Sequence, residues 1–282
     1  MLQQEIKKIV KAALIEDKAW LDTTSDSTIK KNDEISFSIS PRENIIFCGK
    51  DIVSEVFKTL KNYKKFKNAR IFIKNSTKDG KFVKKGQKII FGTGNARLIF
   101  AGERVILNLI QHLSGISTLT NQLVEKLNNK NIKILDTRKT IPNLRYLQKY
   151  AVKMGGGLNH RFNLSDLILI KDNHIAAAKS VDNAIKKAKK TGKKIEIECD
   201  NLTQVKEAVK HNPDIIMLDN MNAKEVEKCT KIIRENSKIK IEISGQINLK
   251  NIKNYSKSDI DFISIGSLTH SVKSADIGLD IK

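Results

Sequence analysis

The second half of the chain alternates short apolar runs with segments of helical periodicity. Six such runs follow one another, at residues 132–135, 167–170, 195–197, 215–218, 239–243 and 261–265. Neighbouring parallel strands must be joined by a crossover, usually a helix, so this alternation predicts a parallel β-sheet with helical connections. The runs do not recur at a fixed sequence interval, which argues against a solenoid.

Each apolar run ends on a polar or glycine-containing cluster. In chain order these clusters are Asp136 with Arg138, Lys171-Asp172-Asn173-His174, Glu198, Asp219-Asn220, Ser244-Gly245 and Gly266-Ser267. Parallel α/β barrels build their sites from the loops that follow the carboxyl ends of the strands. The six coincidences therefore predict a barrel with one site that collects all six loops.

The N-terminal part of the chain follows a mixed order of helical and β-like segments. Residues 4–15 have helical periodicity, and the segment Asp22 to Asp26 then breaks the pattern with residues that cap helices. The later segments are β-like runs at 35–39, 45–48, 71–73 and 88–91, a helix at 50–60, a break at Gly92-Thr93-Gly94 and a helix from Arg97 to Leu113. This order predicts a small α+β domain, with the domain change near residue 103.

The positive charge of the chain has two components. The formal net charge is +21, and 8 of the 52 lysines and arginines are arginines. The lysines are spread along the chain, as a compositional bias of the source genome would produce, whereas four arginines fall within about one fifth of it: Arg104, Arg138, Arg145 and Arg161. Since a guanidinium group binds carboxylate or phosphate through two parallel hydrogen bonds, this clustering predicts an anionic ligand. Nucleic-acid binding remains an alternative explanation of the charge.

The sequence gives no sign of membrane insertion or of a cysteine-based site. No apolar window approaches the roughly 20 residues that a membrane-spanning helix needs, and the N-terminal segment resembles an amphipathic helix rather than a signal peptide. We therefore expect a cytoplasmic protein. Cys48, Cys199 and Cys229 are widely spaced and form no CxxC pair, so we expect buried small apolar side chains rather than disulfides or zinc ligands.

Four cationic side chains converge if the barrel prediction is right. They are Arg138, Lys139, Arg161 and Lys171. A ligand with two carboxylates, or with a phosphate and a carboxylate, would satisfy them. The alternative is that each cation pairs with an acid on the rim of the barrel. His160, beside Arg161, is either a donor to the ligand or a residue that caps a turn.

The later strand exits predict acidic and phosphate-binding positions. Glu198 and Asp219 follow consecutive strands, which suits a divalent ion bound partly through water, or ribose hydroxyls; alternatively, they neutralise nearby lysines. Ser244-Gly245 and Gly266-Ser267 follow the last two strands, where barrels commonly bind phosphate through backbone N–H groups.

Seven ordered segments of the chain resemble the motif series of the quinolinate phosphoribosyltransferase family, also called carboxylating nicotinate-nucleotide pyrophosphorylases. They are DTRKT (136–140), GGGLNHRF (155–162), DLILIKDNHI (166–175), EIECDN (196–201), IIMLDNM (215–221), EISGQI (242–247) and SIGSLTHS (264–271). The resemblance extends to ERVILNLIQHLSGIST (103–118) and, more weakly, to LDTTSD near the N-terminus. It therefore covers almost the whole chain.

The resemblance implies a type II phosphoribosyltransferase fold. Its parts are an N-terminal α/β sandwich domain (1–103), on which the C-terminal tail (271–282) packs back, and an irregular, open α/β barrel (104–270). It also implies a homodimer in the cytoplasm, dependence on Mg²⁺, and transfer of phosphoribosyl from phosphoribosyl pyrophosphate to quinolinate. Decarboxylation then gives nicotinate mononucleotide, pyrophosphate and CO₂, a step of NAD biosynthesis.

The resemblance also assigns roles to individual residues. The quinolinate-binding set matches Arg138, Lys139, His160, Arg161 and Lys171, and Arg104 matches an arginine that the partner subunit contributes. The acidic pair for Mg²⁺ and ribose matches Glu198 and Asp219, and the phosphate loops match Ser244-Gly245 and Gly266-Ser267, with His270 as a neighbour. On this assignment Lys139, Lys171, Glu198 and Asp219 act on the developing charges of the reaction.

One position departs from the family pattern. The family usually has SGG where this chain has Ser244-Gly245-Gln246. If the second glycine needs a positive φ, Gln246 costs on the order of 1 kcal/mol or more. Three alternative functions stay open. They are a non-catalytic homologue, an enzyme specific for nicotinate, and a relative of the same fold associated with molybdenum transport operons.

Overall fold

The structure, a computed structural model, describes residues 2–281. The chain forms two compact units. The first contains the described residues up to Asn121, together with Thr140–Gly156 and the segment from Ser271 onward; the second contains Gln122–Lys139 and Gly157–His270. The predicted boundary near residue 103 falls inside a continuous helix, Ala96–Leu127, so the chain does not divide there.

The first unit combines helices with a small antiparallel sheet. Its helices are α1 (Leu2–Glu16), α2 (Thr23–Thr28), α3 (Lys50–Leu60), most of α4 (Ala96–Leu127) and α5 (Arg145–Met154). In α1 the apolar side chains of Ile6, Val10 and Leu14 recur every fourth residue and form one buried stripe. Asp22 caps α2, because its side chain accepts a hydrogen bond from the Ser25 backbone N–H at 3.1 Å, as the sequence predicted.

The sheet of the first unit has the strand order β12-β1-β5-β3, with antiparallel pairing throughout. These strands are β1 (Glu34–Pro41), β3 (Ile71–Ser76), β5 (Ile90–Asn95) and β12 (Ile277–Ile281), and a separate pair is formed by β2 (Ile45–Ile46) and β4 (Phe82–Val83). In the pairing of the C-terminal strand with β1, Ile277 lies opposite Pro41 and Ile281 lies opposite Phe37.

Two elements of the first unit differ from the prediction. Gly92 and Gly94 lie inside β5 rather than between elements, because β3 approaches so closely that a Cβ at Gly92 would lie 2.2 Å from the Phe72 carbonyl oxygen. Helix α4 continues well beyond the predicted end at Leu113. It passes through Gly115, where an added Cβ would lie 2.3 Å from the Lys273 carbonyl oxygen. All three glycines permit close backbone approach.

The second unit is built on a six-stranded parallel sheet with the order β6-β11-β10-β9-β8-β7. The strands are β6 (Lys133–Leu135), β7 (Ile168–Ile170), β8 (Ile195–Cys199), β9 (Ile215–Asp219), β10 (Lys240–Ser244) and β11 (Phe262–Ser264). Strand β6 pairs with β11, so the first and last strands of this sheet in chain order are neighbours, as in a closed barrel. However, β6 and β7 form the two edges of the sheet. The predicted α/β barrel is therefore open between its first two strands.

The segment that follows α5 occupies the open edge of the barrel. Leu158 forms a parallel bridge with Leu135 of β6, and its N–H donates to the Ile134 carbonyl at 2.8 Å. The helices of this unit are α6 (Asp172–Ala178), α7 (Val181–Lys189), α8 (Leu202–Lys210), α9 (Ala223–Asn236) and the short α10 (Ser267–His270). The mixed α/β fold and the six β/α alternations predicted from sequence are confirmed.

Two expectations about composition can be compared with the structure. Over the described residues, no helix combines the length and the apolar character that crossing a lipid bilayer would require. Cys48, Cys199 and Cys229 are unpaired thiols with at most 1% of their surface exposed, as expected for small apolar side chains. Burial raises the pKa of all three thiols, which keeps them protonated.

Gly155, at the carboxyl end of α5, provides a test of the packing in the first unit. An added Cβ would lie 2.4 Å from the Ser117 carbonyl oxygen and 2.6 Å from the Thr120 Cβ, both on α4. We expect Gly155→Ala to lower the free energy of unfolding by about 2–3 kcal/mol. Gly192→Ala is the control, because Gly192 has open space around it and its φ of +68° costs only about 1–2 kcal/mol. Urea denaturation followed by circular dichroism measures the free energy of unfolding of both variants. Equal losses of this free energy would show that the close approach of α4 to Gly155 adds no cost to the substitution.

Candidate active site

A pocket of about 420 Å³ opens at the carboxyl edge of the parallel sheet. Its strand residues lie two apart along the chain, as in Leu169 and Lys171 on and after β7, or Met217 and Asp219 on β9. Side chains two residues apart point to the same face of a strand, so this is the inner face of the open barrel. Barrel interiors are usually filled with branched apolar side chains, and this one is polar instead.

The structure brings the four predicted cations to this one pocket. Arg138 and Lys139 follow β6, Arg161 lies in the segment across the open edge, and Lys171 follows β7. Arg161 is partly buried, and its Nη1 donates to the Leu167 carbonyl at 3.2 Å. Its pKa is lowered, first by burial and then by the neighbouring positive charge of Arg138. Repulsion between these guanidinium groups favours binding of an anion.

Lys171 is paired with an acid, as the alternative interpretation allowed. Its Nζ forms an ion pair with Glu198, a mostly buried residue at the end of β8. Burial raises the pKa of Glu198; Lys171 opposes this effect, and the neighbouring Asp219 and Asp200 add to it. The pair therefore holds Lys171 at the pocket before any ligand arrives.

Three carboxylates form the acidic side of the site. Glu198, Asp219 and Asp200 each offer an oxygen within 4.8 Å of the others. Hard oxygen donors at this spacing suit Mg²⁺, which retains several waters and is held by one or two protein carboxylates. The residues therefore fit the predicted ion, and Asp200 is an addition to the predicted pair.

His160 makes contacts with the protein through both ring nitrogens. Its Nδ1 accepts a hydrogen bond from the Arg161 backbone N–H at 2.8 Å, and its Nε2 lies 2.9 Å from Oε2 of Glu196. A second acid, Glu242, lies 3.6 Å from the same nitrogen. Because Nδ1 is an acceptor, the neutral ring carries its hydrogen on Nε2.

This tautomer excludes one possible metal site. His160, Glu196 and Glu242 offer ligand atoms within 4.8 Å of one another. However, Nε2 presents a hydrogen rather than a lone pair to the two carboxylates, so it cannot coordinate an ion there. The buried cluster is therefore a hydrogen-bonded group of side chains.

The loop after β10 contains two residues with positive φ. Gly245 has φ +97°, and an added Cβ would lie 2.2 Å from the Asn220 side-chain oxygen. Gln246 has a φ of +52°, so its backbone lies in the left-handed region, where a residue other than glycine causes strain. Its carbonyl oxygen accepts hydrogen bonds from the side-chain amides of Asn248 and Asn251, at 3.1 and 3.0 Å. These bonds support the strained turn.

The loop after β11 lies beside Lys139. An added Cβ at Gly266 would lie 3.0 Å from Lys139 Cδ and 3.3 Å from the ring of His270. The Thr269 hydroxyl donates to the Lys139 carbonyl at 2.8 Å. Gly266 and His270 are thus next to a cation of the pocket, and Ser244 lines the pocket directly.

Other predicted residues have different surroundings. Arg104 is exposed on α4 in the first unit, and its role toward a partner subunit stays a prediction. His174 caps α6, because its Nδ1 accepts from the Lys171 N–H at 3.0 Å. His112 contacts Gln148, and His211 pairs with Asp182.

Sequence reasoning missed the inner layer of the site. Glu196 is fully buried, and Glu242, Ser264 and Met217 line the pocket. Glu196 and Glu242 each lie two residues before a predicted site residue, on the same strand face. Strand periodicity applied backwards from the strand exits would have found both.

The fold and the site together define an α/β-barrel protein with a pocket for a strongly anionic ligand. Family models agree with this description over nearly the whole chain. The model of the quinolinate phosphoribosyl transferase N-terminal domain matches residues 22–114, and that of the C-terminal domain matches residues 116–280.

Individual relatives and solved structures are similar over their full lengths. A probable carboxylating nicotinate-nucleotide pyrophosphorylase of Methanocaldococcus jannaschii is 43% identical, over 100% of this chain and 99% of its own. One of Bacillus subtilis is 41% identical, over 98% and 93%. The crystal structure of nicotinate-nucleotide pyrophosphorylase from Ehrlichia chaffeensis superposes with a TM-score of 0.89 at 41% identity, covering 98% of each chain. The chain belongs to the quinolinate phosphoribosyltransferase family.

The strain at Gln246 can be measured directly. Gln246→Gly relieves a left-handed backbone that costs an L-residue about 1–2 kcal/mol, and the greater freedom of glycine in the unfolded chain offsets part of this gain. We expect Gln246→Gly to raise the free energy of unfolding by up to about 1 kcal/mol, and Gln246→Val, with its branched Cβ, to lower it by about 1–2 kcal/mol. Urea denaturation of the two variants and the parent checks both. A valine variant as stable as the glycine variant would contradict the assigned backbone conformation.

Proposed function

We propose that this protein transfers a phosphoribosyl group from phosphoribosyl pyrophosphate to the ring nitrogen of quinolinate, and that decarboxylation then yields nicotinate mononucleotide. The observation that carries the proposal is the single pocket at the strand exits, where four cations face a cluster of carboxylates. Relatives named as carboxylating nicotinate-nucleotide pyrophosphorylases, similar over the full chain, support it.

The cations suit a pyridine with two adjacent carboxylates. Arg138 and Arg161 each present a planar fork that can bind one carboxylate through two hydrogen bonds. Lys139 and Lys171 add point charges from the neighbouring loops. The Nδ1 of His160 accepts a hydrogen bond from the backbone N–H of Arg161. This bond holds the backbone of Arg161 and so positions its guanidinium group. Binding both carboxylates orients the ring nitrogen toward the sugar.

Glu198 and Asp219, joined by Asp200, would hold Mg²⁺ directly or through water. When bound, the ion supplies positive charge that neutralises the pyrophosphate leaving group. Ser244, Gly245 and Gly266 supply backbone N–H groups to the phosphates, with His270 beside them. Gly245 is suited to this role because its positive φ and its contact with Asn220 both exclude a side chain.

Departure of pyrophosphate leaves positive charge on the ribose. The carboxylates of Glu198 and Asp219 stabilise this charge, while Lys139 and Lys171 stabilise the negative charge that develops on the leaving group. Lys171 is already in contact with Glu198, so both charges are in place before the bond breaks. Once the ring nitrogen is alkylated, the cationic ring accepts the electron pair that loss of CO₂ leaves on the adjacent carbon, and a proton then replaces the lost group.

The proposal includes the biological setting. The protein is a cytoplasmic enzyme of NAD biosynthesis that acts as a homodimer, and Arg104 reaches the site of the partner subunit. Exposure of Arg104 on α4 supports this arrangement, because its guanidinium group is accessible to a partner subunit. Neither nucleic acid nor membrane is a partner.

Activity and specificity can be tested in one assay. The purified protein, incubated with quinolinate, phosphoribosyl pyrophosphate and Mg²⁺, is expected to form nicotinate mononucleotide, pyrophosphate and CO₂, with far less product from nicotinate. Arg138→Ala and Arg161→Ala should each lower kcat/KM for quinolinate by about 100-fold, since each removes a charge-assisted pair worth about 3 kcal/mol. Arg234→Ala, away from the pocket, is the control. Equal use of nicotinate would argue against dicarboxylate recognition.

Subunit complementation tests the role of Arg104. Arg104→Ala and Lys139→Ala homodimers should both be inactive. If Arg104 acts across the interface, a mixed dimer contains one site with both residues intact, so it should recover about half of the parent activity per dimer. Differently tagged subunits, refolded together and purified through both tags, provide the mixed dimer. A mixed dimer as inactive as its parents would place Arg104 in its own subunit's site.

A further inference from the structure

Two glutamates lie inside the open barrel with none of their surface exposed. Glu196 is on β8 and Glu242 is on β10, and both values of relative exposure are 0%. An isolated buried carboxylate costs several kcal/mol unless it is paired or neutralised. The proposed reaction, as described above, uses Glu198 and Asp219 but neither of these two acids.

The two acids lie close to each other and to one histidine. The ring beside the pair is that of His160, whose Nδ1 accepts the Arg161 N–H and whose Nε2 therefore gives its one hydrogen to Oε1 of Glu196 at 3.2 Å. In this arrangement the ring is neutral. Two buried carboxylates within 4.8 Å of one another, beside a neutral ring, disfavour two negative charges at once, which favours retention of a proton.

The retained proton belongs on Glu242. Glu196 receives the hydrogen bond from His160 and therefore already has a partner. Glu242 is farther from the ring, at 3.6 Å, and neither of its oxygens makes a hydrogen bond of ordinary geometry within the described residues. Burial, and after it the negative charge of Glu196, raises the pKa of Glu242 to about 8. Protonation of His160 would oppose the shift, as Ser264 and Lys171 do.

Glu242 also lines the ligand pocket, unlike Glu196. It is therefore a buried polar group that faces a cavity built for anions and that lacks a hydrogen-bond partner within the described part of the chain. A carboxylic acid in this position can donate to an incoming carboxylate, and hydrogen bonds of this charge-assisted kind are short and strong. An ionised Glu242 would instead repel the ligand.

We propose that Glu242 remains a neutral carboxylic acid in the wall of the pocket and donates a hydrogen bond to a carboxylate of the pyridine dicarboxylate. The proposal rests on the proposed function, because quinolinate is taken as the ligand. It makes Glu242 a specificity-determining residue, and the charge of Glu196 is, after burial, a cause of its raised pKa. The same charge partly offsets the positive charge of Arg161.

The sign of the pH dependence follows from this assignment. Below the pKa of Glu242 the acid is protonated and binds the dianion; above that pKa, its negative charge opposes binding. Other titratable or charged groups at the pocket are the cations Arg138, Lys139, Arg161 and Lys171, the acids Glu198 and Asp219, and His160. Because the pKa of Glu198 is raised and that of Arg161 is lowered, a loss of affinity between pH 7 and 9 is assigned to Glu242 only if Glu242→Gln removes it.

Calorimetric titration of quinolinate onto the full-length protein measures the effect without turnover. For a group that must be protonated and titrates near pH 8, the Kd of the parent rises about tenfold between pH 7 and pH 9. Glu242→Gln stays neutral and still donates an N–H, so its Kd should change less than twofold over this range. Glu196→Gln removes the charge that raises the pKa of Glu242, so the loss of affinity should begin at lower pH. Glu235→Gln, exposed on α9, should match the parent.

Infrared difference spectra test the proton directly. A protonated carboxylic acid has a carbonyl stretch that is distinct from that of a carboxylate. The parent should show this band at pH 7 and lose it by pH 9.5, and Glu242→Gln should lack it at both. Circular dichroism shows whether each variant is folded, and the spectra remain informative for a folded variant with altered affinity.

The outcomes separate this inference from the proposed function. Turnover of quinolinate with a pH-independent Kd, or a Glu242→Gln variant with the pH dependence of the parent, would overturn the inference and leave the function intact. Binding and pH dependence as expected, but no nicotinate mononucleotide formed from phosphoribosyl pyrophosphate, would contradict the function alone. Quinolinate that fails to bind at every pH would contradict both.

Discussion

The arrangement of the site depends on one buried carboxylate, Asp136 at the exit of β6. It is fully buried, and it accepts hydrogen bonds from the His160 backbone N–H at 3.0 Å and from the Asn159 side-chain amide at 2.5 Å. These bonds hold the segment that crosses the open edge of the barrel. Because His160 and Arg161 belong to that segment, Asp136 determines where a cation and a ring reach the pocket. A barrel closed by β6–β7 pairing would leave no room for either.

The second constraint is electrostatic. Four cations in one pocket repel one another, and the lowered pKa of Arg161 beside Arg138 is one consequence. The protein offsets this repulsion with acids at two depths: Glu198 at the strand exits, in contact with Lys171, and Glu196 one layer below. Acids placed directly among the cations would compete with an anionic ligand. Acids placed beneath them stabilise the cations and leave their outward faces available.

The sequence predicted the frame of this site because strand periodicity and strand exits are local signals. Six apolar runs and the polar residues that follow them identified Arg138, Lys171, Glu198 and Asp219 without knowledge of strand order. The open edge was not predictable, because it depends on which strands pair. Helix α4 was underestimated because Gly115 serves a distant backbone, that of Lys273, rather than the helix. Such close approaches have no local sequence signal.

The inner acids illustrate a different limit. Glu196 and Glu242 occupy strand positions where a barrel usually has apolar residues, and each is visible in the sequence. The role of each acid depends on the distance between their carboxylates, which lie on either side of β9, and on the tautomer of His160. The backbone N–H of Arg161 sets that tautomer. Residue identity alone therefore cannot distinguish an ionised acid that balances arginine from a neutral acid that donates to the ligand. That distinction follows from which acid receives a hydrogen: within the described residues His160 gives its Nε2 hydrogen to Glu196, and neither oxygen of Glu242 receives a hydrogen bond.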